Sequence, residues 1–227
     1  MAFDEKFVNH IIHNYPAKKK MVALDIGANL GKYTLPMASK FRKVYAIEAN
    51  PHTCDALKSN IESARINKRR LRNIEVVNCA ICDVDQPVKL YTVGGDGGKG
   101  AGGNTLAWNV ATLKKWGHNP NNFLAVRGLT LDTFVEEHKI KNLRFIKMDI
   151  EGAEDFAWKG AIKTLHEFQL DIVLEVHRQV NYPALFKFFQ DHNFRIFDHS
   201  VREPKFFMED SHYLITNRHN TPDGSIR

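Results

Sequence analysis

The chain has only three cysteines among 227 residues, too few, and too odd a number, for a disulfide framework. Cys79 and Cys82 are spaced as C-x-x-C, but no second pair of ligands follows at matching spacing, which excludes a zinc site of the usual kind. Asp83, Asp85 and Pro87 follow the pair instead of a helix start. A thioredoxin-type pair is therefore excluded, and two small residues packed at a strand end are expected. No apolar run approaches the roughly 20 residues of a membrane helix. The opening residues Met1-Ala2-Phe3-Asp4-Glu5-Lys6 lack the basic-then-apolar order of a secretory signal, so a cytoplasmic protein is expected. No internal repeat or linker divides the chain. Residues 1–227 are expected to form one domain, with a helix over 3–15 and a mobile tail from about 218 to 227.

Glycine is missing where a dinucleotide site needs it. Met21 to Ile26 is a near-continuous apolar strand carrying Asp25, and it leads into Gly27-Ala28-Asn29-Leu30-Gly31-Lys32-Tyr33-Thr34. A G-x-G-x-x-G fingerprint anchored at Gly27 requires glycines at Asn29 and Lys32. Neither is present, which argues against a nicotinamide oxidoreductase. With no pyrophosphate to cradle, the turn can approach an amino-acid group and a ribose instead. Asp25 is expected to receive a ligand ammonium, and Gly27 and Gly31 to leave room for the ligand. Glu48 follows at the end of a second apolar strand, Lys43 to Glu48, where a carboxylate is placed to accept both hydroxyls of a ribose.

Aromatics are missing from the basic clusters. The net charge of +6 is concentrated partly in Lys18-Lys19-Lys20 and in Lys68-Arg69-Arg70-Leu71-Arg72. Such clusters attract anions, but without interleaved aromatics neither forms a stacking platform for bases. They read as solvated basic faces.

What is present is an alternation of strands and helices. Phe3, Phe7, Val8, Ile11, Ile12 and Tyr15 mark an amphipathic helix closed by Pro16, a face also suited to a dimer contact. After the first strand come a helix to about Phe41, the Lys43–Glu48 strand, and a helix from Pro51 bearing Leu57 and Ile61. Strands over 74–81 and 88–93 follow, then Phe123–Leu129 and a helix from Thr130. A strand over 144–151, a helix over 154–166, a strand over 171–177 and a helix over 182–192 complete the alternation. Phe194–Phe197 and Tyr213–Thr216 are expected to pair as an antiparallel edge. This is the pattern of an α/β fold with a parallel sheet. The stretch Gly94–Gly103 neither follows a phosphate-binding strand nor opens a helix. It is read as a flexible loop, with a substrate lid hinged at Asn104, Thr105 and Trp108 as the functional alternative.

Three motifs together resemble the FkbM-type family of S-adenosylmethionine-dependent methyltransferases. They are Asp25-Ile26-Gly27-Ala28-Asn29-Leu30-Gly31 with Tyr33-Thr34, the Glu48, Pro51, Leu57, Asn60 block, and Leu129-Thr130-Leu131-Asp132 followed by Phe145 to Glu154. The similarity spans roughly residues 20–200. The resemblance implies a Rossmann-like seven-stranded methyltransferase sheet with helices on both faces and its last strand antiparallel. It implies S-adenosylmethionine as cofactor and O-methylation of a sugar, glycan or other small-molecule hydroxyl. The cofactor set it implies is Asp25, Gly27, Ala28, Asn29, Gly31, Tyr33, Thr34, Glu48, Ala49, Ala80, Ile81 and Asp149. Two departures stand out: Ala49 and Asn50 intervene between Glu48 and Pro51, and the Gly94–Gly103 stretch is an addition.

The expected catalytic group is His177, Asp149, Glu151 and Glu175. Glu175 and His177 lie two apart on one strand and face the same side. His177 is the expected general base, because an ordinary imidazole titrates near pH 6.5. Asp149 and Glu151 frame the sulfonium and substrate. No metal is expected, and if one binds, Asp149, Glu151, Glu175 and His177 are the oxygen-rich set to hold Mg²⁺ or Mn²⁺. Two alternatives stay open. One is an RNA ribose 2′-O-methyltransferase, for which Asp149 and Glu175 fill two places of a Lys-Asp-Lys-Glu tetrad but no lysine closes the strand bearing Glu175. The other is a non-catalytic module that binds S-adenosylmethionine.

Overall fold

The computed structural model describes every residue except 1, 19, 68, 93–103, 107–112, 115–118, 178–179, 201, 209 and 219–227. The Gly94–Gly103 stretch, Trp108 and all of the expected tail but Arg218 therefore lie outside the described residues.

The chain opens with α1 (Ala2–Asn14), β1 (Val22–Ile26), α2 (Thr34–Ala38), β2 (Lys43–Ile47) and α3 (Pro51–Asn67). Next come β3 (Ile74–Val77), β4 (Ala80–Ile81), β5 (Pro87–Tyr91), β6 (Phe123–Leu129), α4 (Leu131–Glu137) and β7 (Leu143–Met148). The remainder is α5 (Glu154–Lys159), α6 (Ile162–Glu167), β8 (Asp171–Val176), α7 (Tyr182–Asp191), β9 (Arg195–Phe197) and β10 (Ser211–Thr216). Seven strands form the main sheet in the order β3-β2-β1-β7-β8-β10-β9. The first five run parallel, while β10 is antiparallel to both β8 and β9. The expected architecture, including the antiparallel edge, is the one observed.

Alternation along the strands builds one core on each face. Ala23, Phe145 and Val173 pack with Val8, Ile12, Met37, Phe41 and Leu57 of the α1–α3 layer. Leu24, Ile146, Ile172 and Leu174 pack with Phe134, Trp158, Leu165 and Phe189 of the α4–α7 layer. Tyr15, Phe41 and Phe145 stack at centroid distances of 5.0–5.4 Å, which seats α1 on the sheet. Arg218, the first residue of the expected tail, is tied to β8: its Nη1 donates to Asp171 Oδ2 at 2.5 Å.

Three elements differ from the sequence expectation. The helix after Gly31 is one short segment, α2, and its Pro36 supplies no backbone N–H donor. The helix expected over 154–166 is broken into α5 and α6. Asp132 caps α6, accepting from Lys163 N at 3.0 Å and Thr164 N at 2.8 Å. Gly160 at the break lies so close to Cys82 O that a Cβ would stand 2.4 Å from it. The third difference shapes the site. The strand expected over 74–81 splits at Asn78-Cys79, so β3 stays with β2 while β4 joins a second sheet of order β4-β6-β5. That departure opens a cleft between the carboxyl ends of the main-sheet strands and the smaller sheet.

Candidate active site

The cleft lies at the carboxyl ends of β1, β2 and β7, where ligands bind in open α/β sheets. Its floor is Gly27, Asn29, Glu48 and Ala49; Asp149, Ile150 and Glu151 close one side, and Cys79, Ala80 and Ile81 the other. Leu90, Asn104 and Leu106 come from the second sheet and the segment bridged to it at Tyr91 and Thr105.

The turn after β1 is shaped by the protein itself. Gly27, Asn29 and Gly31 have φ of 76°, 49° and 92°, the left-handed region that glycine enters without steric cost. A Cβ on Gly27 would stand 1.8 Å from Asp149 O, and one on Gly31 would stand 2.9 Å from Leu57 Cδ1. Both glycines are thus required by the chain's own packing, and Gly27 also lines the cleft.

Glu48, 8% exposed, anchors this turn. Its Oε2 accepts from Asn29 N and its Oε1 from Asn50 N, both at 2.9 Å. Burial pushes its carboxyl above the ordinary range against those two donors. Ala49 and Asn50, which looked like an interruption, supply a wall residue and a donor to Glu48.

Asp25 sits beneath the turn, 1% exposed, and does not line the cleft. Its Oδ2 accepts from Thr34 Oγ1 at 2.5 Å. Its register partner across the strands is Lys147, which is 2% exposed and lies 4.8 Å from the Tyr33 ring centroid. Burial raises the Asp25 carboxyl, and the Lys147 charge and Thr34 hydrogen bond oppose it. The Lys147 charge thus offsets part of the burial of Asp25, while its Nζ is given to Asp149. Ala28, Gly31, Tyr33 and Thr34 likewise support the turn from behind and do not line the cleft.

The structure brings Asp149, Glu151, Glu175 and His177 together at the ends of β7 and β8. Lys147 Nζ donates to Asp149 Oδ2 at 3.0 Å. Asp149 is half-buried, which disfavours its charge, but Lys147 and His177 hold the carboxyl down at about 2. His177 Nε2 stands 3.6 Å from Asp149 Oδ1, 3.6 Å from Glu151 Oε2 and 3.7 Å from Glu175 Oε1. On its other side, Nδ1 meets Glu154 Oε1 at 2.8 Å. Burial alone would lower the imidazole pKa; the Glu154 hydrogen bond and the surrounding carboxylates outweigh it and raise the pKa to about 10. In this state His177 is a cation and a donor near neutral pH, so the premise behind its expected role as base, an ordinary imidazole pKa, does not hold here.

Glu154 and His212 complete the cluster, and the sequence reading did not place either there. Glu154 is fully buried and also accepts from Gly152 N at 3.2 Å. This pins the loop in which Glu151 takes φ 54° and Gly152 φ 96°. The signal for Glu154 was its place three residues after Glu151, on the first turn of a helix facing the β8 end. His212 is the register partner of Glu175 across β8 and β10, and its Nε2 lies 3.0 Å from Glu175 Oε2. Only the pairing of distant strands reveals it.

An α/β sheet of this order, with a cleft over the strand ends and an acid at the end of β2, defines the Rossmann-like methyltransferase class. The family model described as the methyltransferase FkbM domain matches residues 25–196, and the chain belongs to that family. The crystal structure of methyltransferase FkbM from Methylobacillus flagellatus KT superposes with a TM-score of 0.55 at 16% identity, covering 87% of this chain and 44% of that one. Two curated proteins are similar over shorter stretches. One is named "Probable ribosomal RNA small subunit methyltransferase A", from Methanosphaera stadtmanae, 39% identical over 84 residues that make up 37% of this chain and 29% of that protein. The other is named "Probable cobalt-precorrin-6B C(15)-methyltransferase (decarboxylating)", from Methanothermobacter thermautotrophicus, 32% identical over 88 residues, 36% of this chain and 42% of that protein. The chain thus spans less than half the length of each of these relatives.

No helix among the described residues is long and apolar enough to cross a membrane.

Proposed function

We propose that this chain is an S-adenosylmethionine-dependent O-methyltransferase acting on a hydroxyl of a sugar, glycan or other small molecule. The observation that carries this reading is the placement of Glu48 in the cleft wall, with one backbone N–H on each carboxylate oxygen. A carboxylate offers about four acceptor positions, so each oxygen retains one for a ribose hydroxyl. Ile81, Leu90 and Leu106 give the apolar wall that suits an adenine ring. The bound cofactor supplies an electrophilic methyl carbon.

The chain's own residues have two tasks. They align the acceptor oxygen and keep water away, and they take up its proton. Asp149 and Glu151 line the cleft and accept the acceptor O–H. Glu151 is the more exposed of the two, at 37% against 25% for the side chains, and it receives the proton as the new C–O bond forms. His177 and Lys147 hold these carboxylates in place as cations.

RNA as the acceptor is the second reading, favoured by the similarity to a ribosomal RNA methyltransferase and by the net charge of +6. The acceptor end of the cleft argues the other way, since Asp149, Glu151 and Glu175 repel a phosphate backbone. Labelled methyl transfer from S-adenosylmethionine to glycan, small-molecule and RNA fractions, at low and high salt, tests the assignment. Label in the glycan or small-molecule fraction is expected. Label confined to RNA and falling steeply with salt replaces this reading with the RNA one. Cofactor binding with no transfer to any fraction leaves a binding module.

A further inference from the structure

The roof of the cleft is apolar but for one described side chain. Leu90 and Leu106, 3% and 7% exposed, line it together with Asn104. Two backbone hydrogen bonds join the roof segments: Tyr91 N donates to Thr105 O at 2.8 Å, and Thr105 N donates to Tyr91 O at 3.0 Å. Side chains alternate across extended backbone of this kind. Asn104 and Leu106, on either side of Thr105, therefore share the face that lines the cleft, and Leu90 joins them from beside Tyr91.

Asn104 Oδ1 is buried and accepts no hydrogen bond among the described residues. A buried acceptor left unpaired carries a desolvation cost, which a ligand donor at that point removes. Asn29 Oδ1 is also buried without a partner among the described residues. It belongs to the β1 turn, whose Asn29 N is gripped by Glu48, and so to the ribose side of the cleft. The unpaired oxygen among the apolar residues of the wall is that of Asn104.

We propose that Asn104 selects the base of the cofactor, its Oδ1 accepting a hydrogen bond from the exocyclic amine of an adenine seated against Ile81, Leu90 and Leu106. This rests on the S-adenosylmethionine reading of the cleft. Apolar walls reward burial of any purine ring, whereas a site built to hydrogen-bond a ligand N–H rejects the analogue that lacks it. The Asn104 amide also carries N–H donors beside its oxygen. Adenine presents an amine donor next to ring-nitrogen acceptors, the pattern that asparagine side chains read in nucleic acids. Asn104 directly follows Gly103 in the chain, so the added Gly-rich stretch ends on a residue that reads the methyl donor. That role is distinct from the hinge of a substrate lid.

The test needs no methyl transfer. Calorimetry on the full chain compares S-adenosylhomocysteine with its 6-deamino analogue, in which purine replaces adenine. The wild type is expected to bind S-adenosylhomocysteine at least about tenfold more tightly than the analogue. In Asn104→Leu the two affinities should converge. Asn104→Asp keeps an acceptor oxygen and should retain the preference. Circular dichroism checks that each variant is folded, and Asn104→Ala takes the place of Asn104→Leu if the latter unfolds. Equal affinities in the wild type, or an undiminished preference in a folded Asn104→Leu or Asn104→Ala, overturn the assignment and leave the cofactor reading intact. Binding of neither ligand by the wild type overturns the cofactor reading, and the assignment with it.

Discussion

Glu154 Oε1 and His177 Nδ1 lie 2.8 Å apart beneath the acceptor end of the cleft, joining the first turn of α5 to the residue after β8. The contact couples a loop in left-handed conformation to the charge state of an imidazole. A buried hydrogen bond of this kind is strong when one partner is charged, as His177 is with its raised pKa.

The first prediction concerns pH. The His177 pKa is raised to about 10 in the folded chain, against about 6.5 unfolded. The folded state therefore binds the proton more tightly, and the stabilisation is complete below about pH 6.5. It is lost as pH rises through about 10. Denaturant unfolding in EDTA should show wild type losing a few kcal/mol relative to His177→Gln across that window. Parallel stability profiles for the two proteins would contradict the ionic clamp.

Glu48 separates cofactor binding from folding. Glu48→Gln keeps one acceptor oxygen and should weaken S-adenosylmethionine binding by about tenfold in calorimetry, the equivalent of about 1.4 kcal/mol. Glu48→Ala additionally leaves the Asn29 and Asn50 N–H groups without their carboxylate. Each unsatisfied buried donor costs about 1–3 kcal/mol, so Glu48→Ala should also unfold at clearly lower denaturant. Unchanged affinity in Glu48→Gln would remove the ribose role.

Gly27→Ala tests what the turn requires. The new methyl group would meet Asp149 O at 1.8 Å in a backbone of φ 76°, so β1 and β7 must part. A loss of about 3 kcal/mol or more is expected, together with weaker cofactor binding. Wild-type stability would show that this backbone approach yields easily.

The sheet was legible in the chain because its strands are short apolar runs ending in acids, and such runs are buried on both faces of a parallel sheet. Glu48 could be read from its place at the end of β2. Asp25 could not: a buried acid at a strand end looks the same whether it lines a cleft or lies beneath the turn, held by Thr34. Its burial beneath the turn comes from the packing of β1 against β2 and β7, which is a tertiary fact. His177 shows the same limit. Its place was visible from spacing, but its charge depends on four carboxylates, three of them on other segments. The split between β3 and β4 escaped because one polar residue, Asn78, does not by itself end a strand pattern any more than Glu75 does, and only hydrogen bonding marks the change of sheet.

At that split, Asn78 Nδ2 donates to Glu48 O at 2.7 Å and to Ala49 O at 3.0 Å. One side-chain amide thus ties the point where the chain changes sheets to the loop that carries the cleft acid. The smaller sheet and Glu48 are mechanically linked through it. The position of Glu48 and the point where the chain leaves the main sheet are thus set by the same two hydrogen bonds.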